Sequence, residues 1–216
     1  VHGLDNDPYH LVLLCENNQG YKNLCKLVSE AFLHGFYSKP RVDLALLEQY
    51  HDGLIALSAC LAGAIPQYLM DESYDSAKAY ALNLARIFGP EHFYLEMQDH
   101  GIEAQRMVNQ GILRLARETG LPLVVTNDAH YLRKEDAAMQ DVLLCVQTGK
   151  TVDDPNRMRF ETEEFYLKSE QEMAALFPNQ PEALENTAKI AQRCNVEFVF
   201  HDYHLPAFPV PEGYTN

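Results

Sequence analysis

Through the first 127 residues, apolar runs of strand length alternate with stretches whose apolar residues recur at helical spacing. The run "HLVLLCEN" (10–17) predicts a strand, and "YKNLCKLVSEAFLHG" (21–35) then places Leu24, Leu27, Val28, Ala31 and Phe32 on one helical face that ends at a glycine. "GLIALSAC" (53–60) predicts a second strand, followed by a short helical piece and by "SYDSAKAYALNLARIFG" (73–89), with Ala77, Ala81, Leu84 and Phe88 on one face. "HFYLEMQD" (92–99) and "PLVVTN" (122–127) supply two more strands, separated by a helix over 102–120 that stops at Gly120. Such β-α steps in series imply parallel strands covered by helices, as in an α/β barrel or an open doubly wound sheet. After residue 134 the rhythm breaks. A helix over 134–146 is followed by the turn-rich "TVDDPNRMRF" and by two helices around "SEQEMAALF" and "PEALENTAKIAQRC". Pro206, Pro209 and Pro211 mark 206–216 as an extended exit linker.

Composition narrows the function. An apolar content of 47% in 216 residues is enough for a sizeable core. Seventeen Lys and Arg stand against 31 Asp and Glu, a net charge of −14, so the summed field repels a phosphate backbone and any nucleic-acid contact has to be local or metal-assisted. The five cysteines, Cys15, Cys25, Cys60, Cys145 and Cys194, are odd in number and contain no C-x-x-C, which argues against a disulfide framework or a zinc finger and for a reducing compartment. No apolar run approaches membrane-spanning length and the first ten residues lack the pattern of a signal peptide, so a cytoplasmic location is expected. The sequence opens on Val1 in mid-phrase, as a processed or excised piece of something longer would.

In parallel α/β folds the ligand site lies at the carboxyl ends of the strands, which is where Asp128 and His130 sit in "LVVTNDAHYL". A two-residue offset on an extended segment points both side chains to one face, so a carboxylate and an imidazole can converge on one ion. Cys60 ends the second strand, and His100 follows the strand that carries Glu96. An Asp/His/Cys set suits zinc, with manganese or iron where carboxylate and water dominate. Each residue also has a plainer reading. Asn127 and Asp128 can simply cap the next helix; Cys60 can be a small buried hydrophobe; His10, at the start of its strand, can be a packed or surface histidine; His100 in "QDHG" can be a turn residue. His34, His51, His201 and His204 carry no usable pattern. The "SKPR" of 38–41 is a compact basic spot, either a solvated loop or a phosphate site.

Several long, ordered phrases carry a resemblance: "YHLVLLCENNQGYKNLCKLVSEAF", "GFYSKPRVD", "GLIALSACLAGAIPQ", "LPLVVTNDAHYLRKEDAAMQDVLLCVQTGKTVDDPNRMRF", "EFYLKSEQEM" and "PEALENTAKIAQRCNV". Together they resemble the PHP (polymerase and histidinol phosphatase) domain of bacterial DNA polymerase III alpha subunits. The resemblance implies a distorted (β/α)7 barrel whose strand ends hold a cluster of divalent metal ions, zinc or manganese first, with iron or magnesium as alternatives. Carried over by position, it assigns His10, Cys60, Asp128 and His130 as metal ligands and Asp128 with His130 as the catalytic pair. Lys39, Arg41 and His100 are the substrate-binding candidates. The implied activity is that of a metal-dependent phosphoesterase, a 3′-5′ exonuclease acting on DNA ends. The alternative is an inactive structural module that braces the polymerase and docks a proofreading exonuclease subunit. The implied partners are DNA, reached through the parent polymerase, and the remaining polymerase domains. The family's opening His-x-His, the Asp that follows it, an Asp-His-Gly histidine and a glutamate have no match here. On that basis residues 1–205 are expected to be the C-terminal two-thirds of the domain, lacking the N-terminal βα units and weak or inactive alone, with 206–216 leading toward an absent polymerase palm.

Overall fold

The computed structural model describes residues 8–203, 205, 209 and 211–213. The element order is β1 (Val12–Cys15), α1 (Asn18–Leu33), α2 (Leu44–Gln49), β2 (Leu54–Leu57), α3 (Ala64–Met70), α4 (Tyr74–Phe88), β3 (Phe93–Met97), α5 (Glu103–Thr119), β4 (Leu123–Val125), a 3-10 turn (Lys134–Asp136), α6 (Ala137–Thr148), α7 (Glu170–Leu176) and α8 (Pro181–Arg193). Strands and helices fall where the apolar periodicity puts them. The short α2 has too few residues to show a period, and the expected 206–216 linker lies largely outside the described residues.

Sequence chemistry sets the helix ends. The Asn17 side chain accepts from the backbone N–H groups of Gln19 and Gly20 and so caps α1, which stops at Leu33, just short of Gly35. Gly120, in the left-handed region at φ 72°, ends α5 as expected. Ser169 and Glu172 form a reciprocal capping box on α7.

The four strands make one open sheet in the order β1-β2-β3-β4. β2, β3 and β4 run parallel, with Leu57 opposite Tyr94 and Glu96 opposite Val124. β1 departs from the expected all-parallel arrangement: it lies antiparallel to β2, with Val12 opposite Leu57 and Cys15 opposite Leu54. Strand direction is decided by the path of the connections, which apolar periodicity does not record. Nor is the sheet closed, so the expected seven-stranded barrel is not seen among the described residues; the ladder ends at β1 and β4.

β2 and β3 are buried at every position, which is why they read as continuous apolar runs, whereas β1 at the sheet edge is half-buried throughout. On one face Leu54, Ala56, Phe93, Leu95 and Met97 pack with Leu27, Leu84, Ile112 and Leu115 from α1, α4 and α5. On the other, Ile55, Leu57, Tyr94 and Val124 lie beneath Ile190 of α8. Full burial of each such large side chain contributes about 1.5–3 kcal/mol before entropy is counted. The result is a rigid central layer whose strand ends define one rim.

Candidate metal centre

Because β1 is reversed, its N-terminal end stands beside the C-terminal ends of β2, β3 and β4. His10 enters the rim from this side. Its backbone N–H donates to Ala62 O (2.9 Å), and its Nδ1 comes within 3.7 Å of Cys60 Sγ. A histidine at the start of a strand is therefore brought to the rim with residues that follow strand ends. Cys60 comes directly after Ala59, a non-glycine residue at φ 67°. Burial pushes the Cys60 thiol above its ordinary range, and the negative charges of Asp128 and Glu96 add to the rise.

Asp128 and His130 also meet, with Asp128 Oδ1 and His130 Nε2 3.4 Å apart, but the backbone between them is not extended. Asp128 sits at φ 48°, so a kinked loop, not strand alternation, brings the pair together. That loop is fastened on three sides. Asn127 Nδ2 donates to Tyr166 O (2.6 Å), the His130 N–H donates to Phe165 O (2.8 Å), and His100 Nε2 donates to Asn127 O. With Asn127 engaged in this way and Arg133 at the N-cap of the 3-10 turn, the helix-capping reading of Asn127 and Asp128 does not hold.

His100 is 1% exposed. Its ring stacks on Phe165 with centroids 4.0 Å apart, its Nδ1 accepts from Gln105 Nε2 (2.8 Å), and its Nε2 proton goes to Asn127. Both ring nitrogens are thus occupied inside the protein.

A cavity of about 710 Å³ opens between these strand ends, lined by His10, Lys39, Cys60, Glu96, Gln98, Thr126 and Asp128 among others. His130 adjoins it through Asp128. Lys39 reaches it from a tight turn in which Tyr37 and Lys39 exchange backbone hydrogen bonds around Ser38 at φ 58°; among the described residues its ammonium makes no ion pair. Arg41 lies over the Tyr37 ring and lines a neighbouring, largely apolar cavity of about 660 Å³ instead.

The residues that sequence reasoning passed over are Glu96 and Gln98. Glu96 is 5% exposed at the end of β3; its Oε2 accepts from Ala59 N–H (2.9 Å) and its Oε1 from Gln98 Nε2 (3.1 Å) and Thr126 Oγ1. Burial raises its carboxyl, opposed by these donors and reinforced by Asp128. A charged residue inside the apolar run "HFYLEM" was the available signal, since buried carboxylates are rare without a partner or a task.

Imidazole, thiol and carboxylates around one cavity match the donor chemistry of a divalent ion. They stand as two pairs, His10 with Cys60 and Asp128 with His130; among the described residues no three His, Cys, Asp or Glu side chains are grouped closely enough to hold a metal by themselves.

Residues 2–100 match the PHP domain family, a span that includes His10, Cys60, Glu96 and Gln98. That span, residues 2–100, belongs to the PHP domain family. Asp128 and His130 lie beyond the matched residues, but similarity to whole proteins extends across them. This PHP chain is 45% identical over 215 residues to the DNA polymerase III subunit alpha of Treponema pallidum (strain Nichols), which covers 100% of the chain and 18% of that protein. It is 46% identical over 209 residues to the DNA polymerase III subunit alpha of Borreliella burgdorferi, covering 96% of the chain and 18% of the relative. The protein of the same name from Thermus aquaticus is 45% identical over 220 residues, covering 99% and 18%. The chain is thus a PHP-domain segment of the kind found in DNA polymerase III alpha subunits, and it spans 18% of the length of these relatives.

Proposed function

We propose that this PHP segment serves DNA replication as part of a polymerase III alpha subunit, and that its rim cavity is a metal-dependent phosphoesterase centre acting on DNA 3′ ends. The observation that carries the reading is the convergence of His10, Cys60, Glu96 and Asp128, which stand before β1, after β2, within β3 and after β4, on one cavity. A divalent ion, when bound, supplies Lewis acidity and offsets the charge of a phosphate group. The chain's own residues do the rest. His10 and Cys60 offer nitrogen and sulfur, Asp128 offers a carboxylate oriented by His130, and Lys39 brings a cation to the same cavity to receive a phosphate oxygen. Local positive charge of this kind is what a chain of net charge −14 needs in order to hold a nucleic-acid end. Zinc or manganese suits the donors best, with iron or magnesium as alternatives.

A second reading is favoured by a different observation. Met139, Val142, Leu143 and Val146 form an exposed apolar stripe along α6. Such a stripe fits a module that packs against other polymerase domains or a proofreading exonuclease subunit. The absence among the described residues of any helix long and apolar enough to cross a membrane is compatible with either role, which we place in the cytoplasm.

The deciding experiment is elemental analysis of the purified chain together with an Asp128→Ala/His130→Ala variant, followed by hydrolysis assays on 3′-ended DNA. Stoichiometric metal and hydrolysis that are both lost in the variant support the phosphoesterase. A wild-type chain that takes up no zinc, manganese, iron or magnesium rules it out and leaves the structural module.

A further inference from the structure

A separate cavity of about 290 Å³ adjoins the Asp128–His130 loop, between α6 and the turn-rich segment 157–163. Tyr131, which follows His130, lines it, and so does Phe160, whose ring centroid stands 4.8 Å from that of His130. The volume is at the lower end of small-molecule sites, which start at about 300 Å³. Its walls are tied down. Thr162 Oγ1 donates to His100 O (2.6 Å), and Arg157 pairs with Asp141 of α6 while its Nε donates to Val152 O (3.0 Å).

One wall is aromatic. Phe160 and Phe165 have centroids 4.4 Å apart and planes 31° from parallel, a separation at which two rings have to be stacked, and Phe165 stacks in turn on the buried His100. Phe160 is thus the outer ring of a three-ring column. His130 meets it near its edge and not opposite Phe165: across Phe160, the His130–Phe165 distance would approach the sum of the other two, whereas it is 5.8 Å. Among the described residues no further ring lies against the remaining face.

The polar walls decide what stacks there. Asp141, Glu161 and Glu163 stand against Arg157 and Arg159, three carboxylates to two guanidiniums, so the cavity repels a phosphate. A purely apolar occupant strips water from these charged groups and returns no hydrogen bond. A neutral planar ring with donors and acceptors on its edge meets both demands: its face packs on Phe160, its N–H groups reach carboxylates, and its ring nitrogens and carbonyls reach Arg159. Unpaired nucleobases are such rings.

We propose that this cavity receives the terminal base of a DNA 3′ end, with Phe160 as its stacking platform. The proposal rests on reading the rim cavity as the phosphoesterase centre: the phosphate lies there beside Lys39, and the base of the same nucleotide, one sugar away, lies past His130 on Phe160. A base held by both face and edge cannot be paired, so the site selects single-stranded ends.

Binding to the whole chain is measured with a single-stranded oligonucleotide that carries 2-aminopurine as its 3′ base and a phosphorothioate in its last linkage to slow cleavage, in Mn²⁺ and again in EDTA. The expected results are saturable quenching of the 2-aminopurine, an affinity loss of roughly fivefold or more in Phe160→Leu, and an affinity within about twofold of wild type in Phe160→Tyr, which keeps the aromatic face. On the wild-type chain, a competitor ending in an abasic sugar is expected to bind roughly fivefold or more weakly than the intact strand. No quenching in either condition, or an abasic competitor as strong as the intact one, overturns the proposal without any variant. It is overturned as well by a Phe160→Leu chain that binds like wild type, by a blunt duplex that binds as tightly as the single strand, and by free 2′-deoxyadenosine that competes as well as the oligonucleotide, which assigns the cavity to a free nucleoside. Metal-dependent hydrolysis of DNA ends that is indifferent to a missing terminal base removes the base site and leaves the phosphoesterase. Base-dependent binding with no hydrolysis of the ordinary phosphodiester supports the base site and removes the phosphoesterase.

Discussion

Gly20, in the first turn of α1, allows the helix to sit against the turn that enters β2. A Cβ built on Gly20 falls 1.8 Å from Gly53 O and 2.5 Å from Gly53 C, whereas real Cβ contacts stay beyond 3.0 Å, so Gly20→Ala has to move backbone by about 1.2 Å. Neither side moves freely. Gly53 O accepts from Glu16 N–H (2.9 Å) next to the β1–β2 ladder, Gly53 itself holds φ 72°, and the Gly20 N–H is fixed to the Asn17 cap at 3.0 Å. Overpacking typically costs about 1–3 kcal/mol, and the upper end applies where both partners are backbone. Weakening the Glu16–Gly53 hydrogen bond adds about 1 kcal/mol, and the better helix propensity of alanine returns about 1 kcal/mol. The net expectation is a destabilisation of about 3 kcal/mol, or a fall in Tm of roughly 6–12 °C for a chain of this size. Gly111→Ala is the control. The three atoms nearest its Cβ all belong to the Leu69 side chain, Cδ1 and Cδ2 at 2.8 Å and Cγ at 3.2 Å, and that flexible side chain can shift. The helix-propensity gain then roughly balances the rotamer cost of about 0.5–1.5 kcal/mol. Urea unfolding followed by circular dichroism compares the two variants. A Gly20→Ala protein as stable as wild type, or as Gly111→Ala, refutes the claimed α1–β2 contact.

Three further outcomes follow from the described contacts. Lys78 and Arg114 hold the Glu118 carboxyl down at about 2; a lowered carboxyl stabilises above its unfolded value and loses that contribution as pH falls through the folded one. The destabilisation of Glu118→Gln relative to wild type should therefore be present above about pH 4.5 and vanish toward pH 2, and a pH-independent difference in urea midpoint counts against the ion pairs. His100→Ala removes a stacked ring and leaves Asn127 O and Gln105 Nε2 without their ring partners, so a loss of about 3 kcal/mol is expected; a change below about 1 kcal/mol in thermal melts disproves the clamp on the Asp128 loop. Cys60→Ser exchanges a soft donor for a hard one and should shift metal preference from zinc toward manganese in competition binding, whereas an unchanged preference makes Cys60 a packing residue only.

Element positions were legible because each strand or helix carries its own period: Ile55 and Ala56 sit in an unbroken apolar run, and Leu24, Leu27 and Ala31 recur along one helical face. The direction of β1 was not legible, since antiparallel and parallel pairing ask for similar side chains and differ in the path of the intervening chain. His10 was undervalued for the same reason. The rule that ligands gather at strand ends assumes parallel strands, and reversal turns a strand's beginning into its site end. Asp128 and His130 were found correctly as neighbours but on the wrong ground, because the left-handed conformation at Asp128 leaves no trace in residue type. Gln98 escaped notice because an uncharged polar residue near a strand end looks ordinary until its partners are counted.

The cavity draws its wall from positions as far apart as His10 and Asp128, across contacts that close long loops: His10 to Cys60 spans 50 residues, Glu96 to Ala59 spans 37 and Thr126 to Glu96 spans 30. Contacts of such separation form late and together, since loop-closure entropy has to be overcome before any of them is rewarded. Partly folded chains therefore contain no version of this cavity, and whatever binds in it binds the native state alone. Occupancy then feeds directly into resistance to unfolding: a ligand present at a hundred times its Kd raises stability by about 2.7 kcal/mol. The melting curve of the chain thus becomes a reporter of cavity occupancy that requires no turnover.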